Sequence, residues 1–535
     1  MPQRSSYARP DVLVVGGGMA GLMAALAARQ QGRSVAVVSL GPVGRSGNTV
    51  VAGGVISAAT CDAGNTAEAY LGDLLASGQG IADPALASRL ANESEEILLF
   101  LERMGVSFLR QGPGFNRVQP PGHSLPRTVP TDWSRVAYAA RGMTFLAPLA
   151  ARAREAGVVF WDGLRVTNLL KQEGRVTGVA AYERKTGIRR VLQAGAVILA
   201  TGGYGGLFRR HNNVSDIYGD GIGMALEAGC AARDMEFVQF YPTMMFSPVK
   251  TPISGIMFWA GAVLRNRDGE RFMDRYDPKG EMARRDAMAR AIFLEVRAGR
   301  GVDGCVYVDC TNMPEEALQG HFRHYSETVA KHGINLRKDW LKGSPAVHYT
   351  LGGIRIDRDG RTSVPGLYAA GEVCGGVHGV NRIAGAALME ASVFGRAAGV
   401  AAANECRSVA AGAGAPVAPD AESASGAVAA AGNCEPAMRD LRDVLWEHVS
   451  LMRDETGLHT ALREIARLRA ARDDAGNSAG AFRRTLLVAE AVVRSALARK
   501  ESRGSHYRAD YPDSDPAWER PVFCAYADGN ITVSA

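Results

Sequence analysis

The chain has 535 residues, 47% hydrophobic and 22% charged, a globular balance that excludes a disordered or collagen-like polymer. Its net charge of +6, from 61 basic and 55 acidic side chains with no basic tract of five or more residues, does not argue for nucleic acid. None of the eight cysteines stands in C-x-x-C spacing, which argues against an iron–sulfur cluster on this chain and for reduced thiols in a cytoplasmic protein.

In chain order, Met1–Pro10 is polar and lacks the apolar core of a signal peptide. Asp11–Val15 (DVLVV) reads as a buried strand, followed by the Gly-rich turn Gly16-Gly17-Gly18-Met19-Ala20-Gly21. Leu22 to Gln31 is helical and Ser34–Leu40 a second strand, which completes a dinucleotide-binding unit. Gly16 allows the tight turn, Gly18 lets backbone N–H groups approach a pyrophosphate, and Gly21 allows close helix–strand packing. Ser39 stands where the second strand often ends in a ribose-binding acid, so that contact is reduced to one hydroxyl.

Ala194–Ala200 and Gly366–Ala370 are further buried strands, ending in Thr201-Gly202-Gly203 and Gly371-Glu372. About Val238 to Ala346, richer in Met and Phe, reads as an inserted domain that covers the cofactor. Ala402 to Asn433 is Ala/Gly/Ser/Pro-rich and reads as a linker. From Pro436 to Lys500 the pattern is helical, with Leu441, Val444, Leu445, His448 and Leu451 on one face, and the tail from Glu501 reads as a wrapping segment. No stretch reaches the roughly 18 apolar residues needed to span a bilayer, so membrane attachment would go through a partner. The expected domains are 1–237 with 347–401, an insertion at 238–346, a linker at 402–435, and a C-terminal part at 436–535.

Arg45–Gly54 (RSGNTVVAGG) is similar to the R-S-H-T-V-A-A-x-G-G stretch of the fumarate reductase and succinate dehydrogenase flavoproteins. Further segments match in order: Ala200–Gly203, Gly219-Asp220-Gly221 with Gly223 and Ala225, Glu236–Thr243 (EFVQFYPT), His348–Gly353 (HYTLGG), Gly366–Arg382, and Glu501–Pro512 (ESRGSHYRADYP). On this ordered set the chain resembles that family, in whose superfamily L-aspartate oxidase also stands. The resemblance implies an α/β fold: a Rossmann-like FAD-binding domain, an inserted α+β capping domain and a C-terminal helical domain. It implies FAD held by Gly16, Gly18, Gly21, Ser39, Asn48, Thr49, Gly53, Gly54, Thr201, Gly202, Asp220, Glu372 and Leu388, and no metal. It also implies a small carboxylic-acid substrate and, for electron exchange, a candidate iron–sulfur partner.

A flavin exchanges a hydride at N5, so the substrate carbon must be activated by cations that hold a neighbouring carboxylate. His348 and Arg382 match the family's carboxylate-gripping pair, and Arg285, within Arg284-Arg285-Asp286 (Pro-Arg-Asp in the family), matches the proton-delivering arginine. Each has a plainer reading: Arg285 as an ion pair with Asp286, His348 as a core histidine, Arg382 as a loop residue.

Three departures stand out. Asn48 replaces the histidine that links FAD covalently, so FAD is expected to bind non-covalently, with a bias toward reduction or toward oxidising a more reducing substrate. Tyr241 replaces a histidine that helps hold the second carboxylate and brings no positive charge. Ser254, Gly255 and Phe258, followed by Trp259, replace the Glu/Arg proton relay, with Glu270 or Asp286 as candidate stand-ins. Together these predict a substrate other than fumarate: a larger or monocarboxylic enoate, an aromatic one, or an amino acid. L-aspartate oxidase-like oxidation, an adenylylsulfate reductase-like flavoprotein and a non-catalytic electron-carrying module stay open as alternatives.

Overall fold

A computed structural model describes residues 9–62, 64–320, 322–406, 434–473 and 480–535. Val12–Val15 sits at the centre of a five-stranded sheet, between Val35–Ser39, backed by Val159–Asp162, and Ala196–Leu199, backed by Leu367–Ala369. All four pairings are parallel, so every strand ends at the same edge. The three inner strands are β-branched and apolar because the helices Met19–Gln30 and Ala386–Glu405 and the antiparallel sheet of Leu164–Gln172, Arg175–Glu183 and Arg189–Gln193 pack against them, and Val12, Leu13, Val14, Val37, Val197 and Ile198 are fully buried.

The Gly-rich turn opens the helix Met19–Gln30. Against it packs Ala386–Glu405, an Ala-rich helix of 20 residues whose small side chains allow close approach. Among the described residues it is the one helix apolar and long enough to cross a membrane, and 72% of that stretch is buried inside the protein. Its own Glu390 and Arg396 interrupt the apolar run. Of the expected linker 402–435, Ala402–Glu405 belong to this helix, Cys406 ends it, Glu435 opens the next helix after Cys434, and 407–433 lies outside the described residues.

The insertion has an antiparallel sheet in the order Thr251–Pro252, Val238–Met245, Leu341–Thr350, Val306–Asp309, Val263–Arg265. Its own core includes Phe258, Leu264, Phe272, Ile292, Val306 and Leu341. The two long strands run from the cofactor domain into the cap, and Gln239, Tyr241 and His348 stand on them at the junction.

At the C-terminal end the helices Glu435–Val449, Glu455–Asp473 and Gly480–Ala498 pack in sequence, the last also against Asp220–Glu227. Leu441, Leu445 and Leu451 are buried, as the helical periodicity predicts. The last segment is a hairpin, Phe523–Ala527 with Asn530–Ser534, that pairs with Ala232–Arg233 and so joins the cofactor domain. Its turn is Asp528-Gly529, both at positive φ (50° and 81°), a strong hairpin signal that the reading of the tail as a wrapping segment passed over.

Candidate active site

A cleft runs along the carboxyl ends of the parallel strands, where ligands of open α/β sheets bind. Gly16, Gly18, Ser39, Asn48, Thr49, Gly53, Thr201, Gly202, Asp220, Glu372 and Leu388 line it, together with His348 and Arg382. Gly21 and Gly54 do not face it. Gly21 lies beneath the turn, where a Cβ would come within 1.9 Å of the Gly16 carbonyl, and Gly54 lies against Arg141 and Thr131. Gly16, at φ 114°, is pressed against the Ala200 carbonyl, 2.2 Å from where a Cβ would stand, so the turn admits no side chain there.

The residues present fit FAD. The backbone turn reaches the start of a helix, where a pyrophosphate is welcome, and Thr49 Oγ1 takes the Met19 N–H at 3.2 Å to fix that start. Thr201 Oγ1 and Asp220 Oδ1, both buried on residues that line the cleft, lack a protein partner. The other Asp220 oxygen holds Arg165 at 2.8 Å.

Asn48 is a clasp. Its Nδ2 donates to Asn213 Oδ1 at 2.9 Å and to Glu372 Oε2 at 3.2 Å, while its Oδ1 accepts the Val214 N–H at 3.0 Å. Glu372 also accepts the Thr350 N–H at 3.0 Å, and burial pushes its carboxyl above the ordinary range.

At the cap end, Arg382 is 9% exposed and donates to Gln239 Oε1 through Nε (3.1 Å) and Nη2 (2.9 Å). Its guanidinium lies 5.3 Å from the centre of the Tyr349 ring, whose hydroxyl bonds Glu390. Burial, with the Arg285 charge nearby, lowers Arg382 to about 10. His348 is held well below the ordinary histidine value by burial and by the Arg382 and Arg285 charges, so its ring is neutral. The Asn212 amide meets His348 Nδ1 at 2.9 Å through Nδ2 and at 3.2 Å through Oδ1, which fixes the ring's orientation.

Arg285 begins the helix Arg285–Glu295, and its guanidinium lies 5.6 Å from the Tyr241 ring centre. Tyr241 in turn meets the His348 ring edge-on at 5.7 Å. Arg285 and Arg382 both line a second cavity of about 420 Å³ between the cap, the Ala67–Gly78 helix and the Gly504–Ser505 turn.

Asp286 does not bond Arg285. Its carboxylate is taken by Arg284 at 3.2 Å and Arg290 at 3.3 Å. Glu270 is engaged with Asn266 and Arg275, so neither acid offered as a relay stand-in meets Arg285. Phe258 is buried in the cap core and Trp259 is 74% exposed, and neither lines the two cavities. The aromatic lining is Tyr218 and Tyr349 in the first cavity and Phe240 in the second, while Tyr241 lines neither and meets the site through Arg285 and His348.

Sequence reading passed over Asn212, Asn213, Gln239 and Tyr349. Gln239 and Tyr349 lie inside segments already matched, EFVQFYPT and HYTLGG, while Asn212-Asn213 carries no motif that announces it.

Taken together, the parallel sheet, the glycine turn and the cleft beneath a cap define an FAD-dependent oxidoreductase. Family models agree: one described as FAD binding domain matches residues 11–388, and one described as Fumarate reductase flavoprotein C-term matches 438–533. The chain is 34% identical over 534 residues to one subunit of the fumarate reductase (CoM/CoB) of Methanothermobacter marburgensis, covering 96% of each chain. It is 36% identical over 527 residues to an L-aspartate oxidase of Caulobacter vibrioides, covering 95% of this chain and 94% of the other. The Mycobacterium smegmatis Sdh1 structure in complex with UQ1 superposes with TM-score 0.87 at 32% identity, covering 98% of this chain and 94% of that one. The chain therefore belongs to the fumarate reductase and succinate dehydrogenase flavoprotein family, alongside the L-aspartate oxidases.

Proposed function

We propose that this flavoprotein reduces an α,β-unsaturated carboxylate other than fumarate, or oxidises the matching saturated acid. Arg382 and His348 clamp the carboxylate and Arg285 delivers the proton. The observation that carries the reading is Arg382, a buried guanidinium that lines both cavities and donates to an amide and a backbone carbonyl but to no acid among the described residues. A buried arginine left without a carboxylate is costly unless an anion completes it. His348, neutral and oriented by Asn212, adds a second polar contact without adding charge.

FAD would be held by the Gly16 turn, Thr201, Asp220, Asn48 and Glu372, and Asn48 has no ring nitrogen for a covalent link. When bound, FAD supplies hydride exchange at flavin N5. The chain's own residues do the rest. Arg382 and His348 draw electron density from the double bond toward the carboxylate, and Arg285, whose neighbouring acid is spent elsewhere, stands free to give a proton to the other carbon. Tyr241 offers a hydroxyl but no charge at the end where fumarate would place its second carboxylate.

Amino-acid oxidation is the runner-up, supported by the L-aspartate oxidase relatives. The acids that line the second cavity speak against it, because Asp73 is paired with Arg127 and Asp286 with Arg284 and Arg290, which leaves none there to hold an ammonium group. The reading extends to an iron–sulfur electron partner and a cytoplasmic position, peripheral to a membrane through that partner. Its support is that the methanogen relative is named as one subunit of a larger enzyme.

Anaerobic reoxidation of reduced enzyme by a panel of enoates tests the proposal, with peroxide from L-aspartate measured alongside. Fumarate turning over as fast as the best acceptor would refute the substrate assignment. Failure of every enoate, together with an inert Arg382→Gln variant, would refute the whole reading.

A further inference from the structure

The second cavity is larger and more cationic than one carboxylate requires. Its volume of about 420 Å³ falls in the range of roughly 300–1,000 Å³ that takes drug-sized ligands, well beyond a four-carbon diacid. Arg284, Arg285, Arg290 and Arg382 line it against only Asp73 and Asp286. Asp73 is closed on the buried Arg127 at 3.0 Å, and Asp286 is shared between Arg284 and Arg290. Positive charge therefore stands at both depths of the cavity: at Arg382, 9% exposed, and at the rim, where the Arg284 side chain is 69% exposed.

The rim arginine is not a demand of the fold. Arg284 has φ −59° and ψ 150°, within the range a proline holds, and its N–H donates to no backbone carbonyl. Ala283 before it has φ −57° and ψ 158°, the extended conformation required of a residue preceding proline. The backbone is thus shaped for the proline that the family's Pro-Arg-Asp motif carries, and the guanidinium is an addition to the cavity.

We infer that the preferred acceptor is an enoate bearing a second anionic group remote from its double bond, with that group held at the rim by Arg284 and Arg290. This rests on the reading of Arg382 as the clamp for the first carboxylate. It also accounts for Tyr241: charge withdrawn from the place of fumarate's second carboxylate reappears farther out, so the second anion has moved along the substrate rather than vanished.

The experiment compares equal-length acceptors that differ only in the far charge, (E)-2-octenedioate against (E)-2-octenoate, with fumarate as the short diacid, by anaerobic flavin reoxidation. The expected result is a higher kcat/KM for octenedioate than for either of the others. The octenedioate-to-octenoate ratio should fall about fivefold in Arg284→Pro, the upper size of an exposed ion pair. Added salt should erode the same ratio in the unmodified protein, because the rim is exposed. Arg284→Gln serves as the second variant should the proline form fold poorly. Equal rates for the two eight-carbon acids, or a ratio that ignores both Arg284 variants, would overturn the inference while leaving the Arg382 clamp standing. Inertness of all three acceptors with an inert Arg382→Gln variant would instead strike the underlying reading.

Discussion

Two clusters of buried arginine differ in how they are neutralised. Beneath the tail, Arg499 closes on Glu236 at 2.6 Å and Glu501 at 3.0 Å, Arg503 on Glu501 at 2.8 Å, and Arg508 on Asp510 at 2.6 Å. Arg453, which has no such acid, is held by the carbonyls of Val449 and Glu236 and by the His506 ring, and lines neither cavity. At the junction of cap and cofactor domain, Arg382 is buried with only Gln239 and a carbonyl, and it lines both cavities. The first cluster is a structural knot, its arginines held within the chain, with only Arg453 Nη2 and Glu236 Oε2 left without a partner among its described buried side-chain atoms. The second has no carboxylate among the described residues, and on the function proposed above a substrate anion completes it, which is what would separate a clamp from a brace.

The strongest way to break this contrast is to remove each centre in turn. Arg382→Gln is expected to lower kcat/KM for every enoate about a thousandfold, roughly 4 kcal/mol, the cost of truncating a buried charge partner. A loss below tenfold would make Arg382 a brace after all. Arg499→Met leaves Glu236 and Glu501 without their shared cation and should cost about 3 kcal/mol or more in denaturant unfolding. An unfolding curve unchanged by that substitution would dissolve the knot.

A non-reacting saturated acid sharpens the contrast further. At a hundredfold its Kd it should stabilise the native protein by about 2.7 kcal/mol in thermal unfolding, and this gain should vanish in Arg382→Gln while persisting in a tail variant that still folds. The smallest effect is in pH. His348 and His506 are both held well below the ordinary histidine value by burial and nearby arginines. The unfolded chain therefore takes up protons below about pH 6.5 that the native rings refuse, and stability falls as pH drops through that window, by at most about 1.4 kcal/mol per ring and pH unit. Glu236, pushed up to about 7, acts with the opposite sign. Enoate kcat/KM should show no inflection near about pH 6.5, because His348 stays neutral through it, and a histidine-like break there would contradict its burial.

Much of this architecture is legible in the residues, for reasons that are local. The strand Val12–Val15 and the glycine turn specify each other over about ten positions, since a buried parallel strand must be apolar and the turn must lack side chains. Arg382, Arg285 and His348, proposed as clamp and proton donor, each lie in a short ordered motif, which is what makes them legible. What stayed hidden depends on distant pairing. Nothing near Asn212 or Asn213 reveals that they meet His348 and Asn48, 136 and 165 residues away. Phe258 and Trp259 look alike in sequence, yet one fills the cap core and the other faces solvent, because helix phase at a four-residue element is set by what it packs on. The Asp528-Gly529 hairpin was legible and its strands were passed over, since their partner Ala232–Arg233 is too short to announce itself.

The order of the parallel sheet bears on how the protein is made. Its strands come from residues 12, 35, 159, 196 and 367, so one edge waits for a segment synthesised long after the glycine turn. A nascent chain halted before Leu367 lacks that edge strand, the Arg382 loop and the long helix that seals Met19–Gln30. Such non-local pairing is slow to form and leaves apolar surface open while the ribosome works. The cleft at the carboxyl ends of the strands is therefore complete only after Ala391, the last residue that lines it, has left the ribosome.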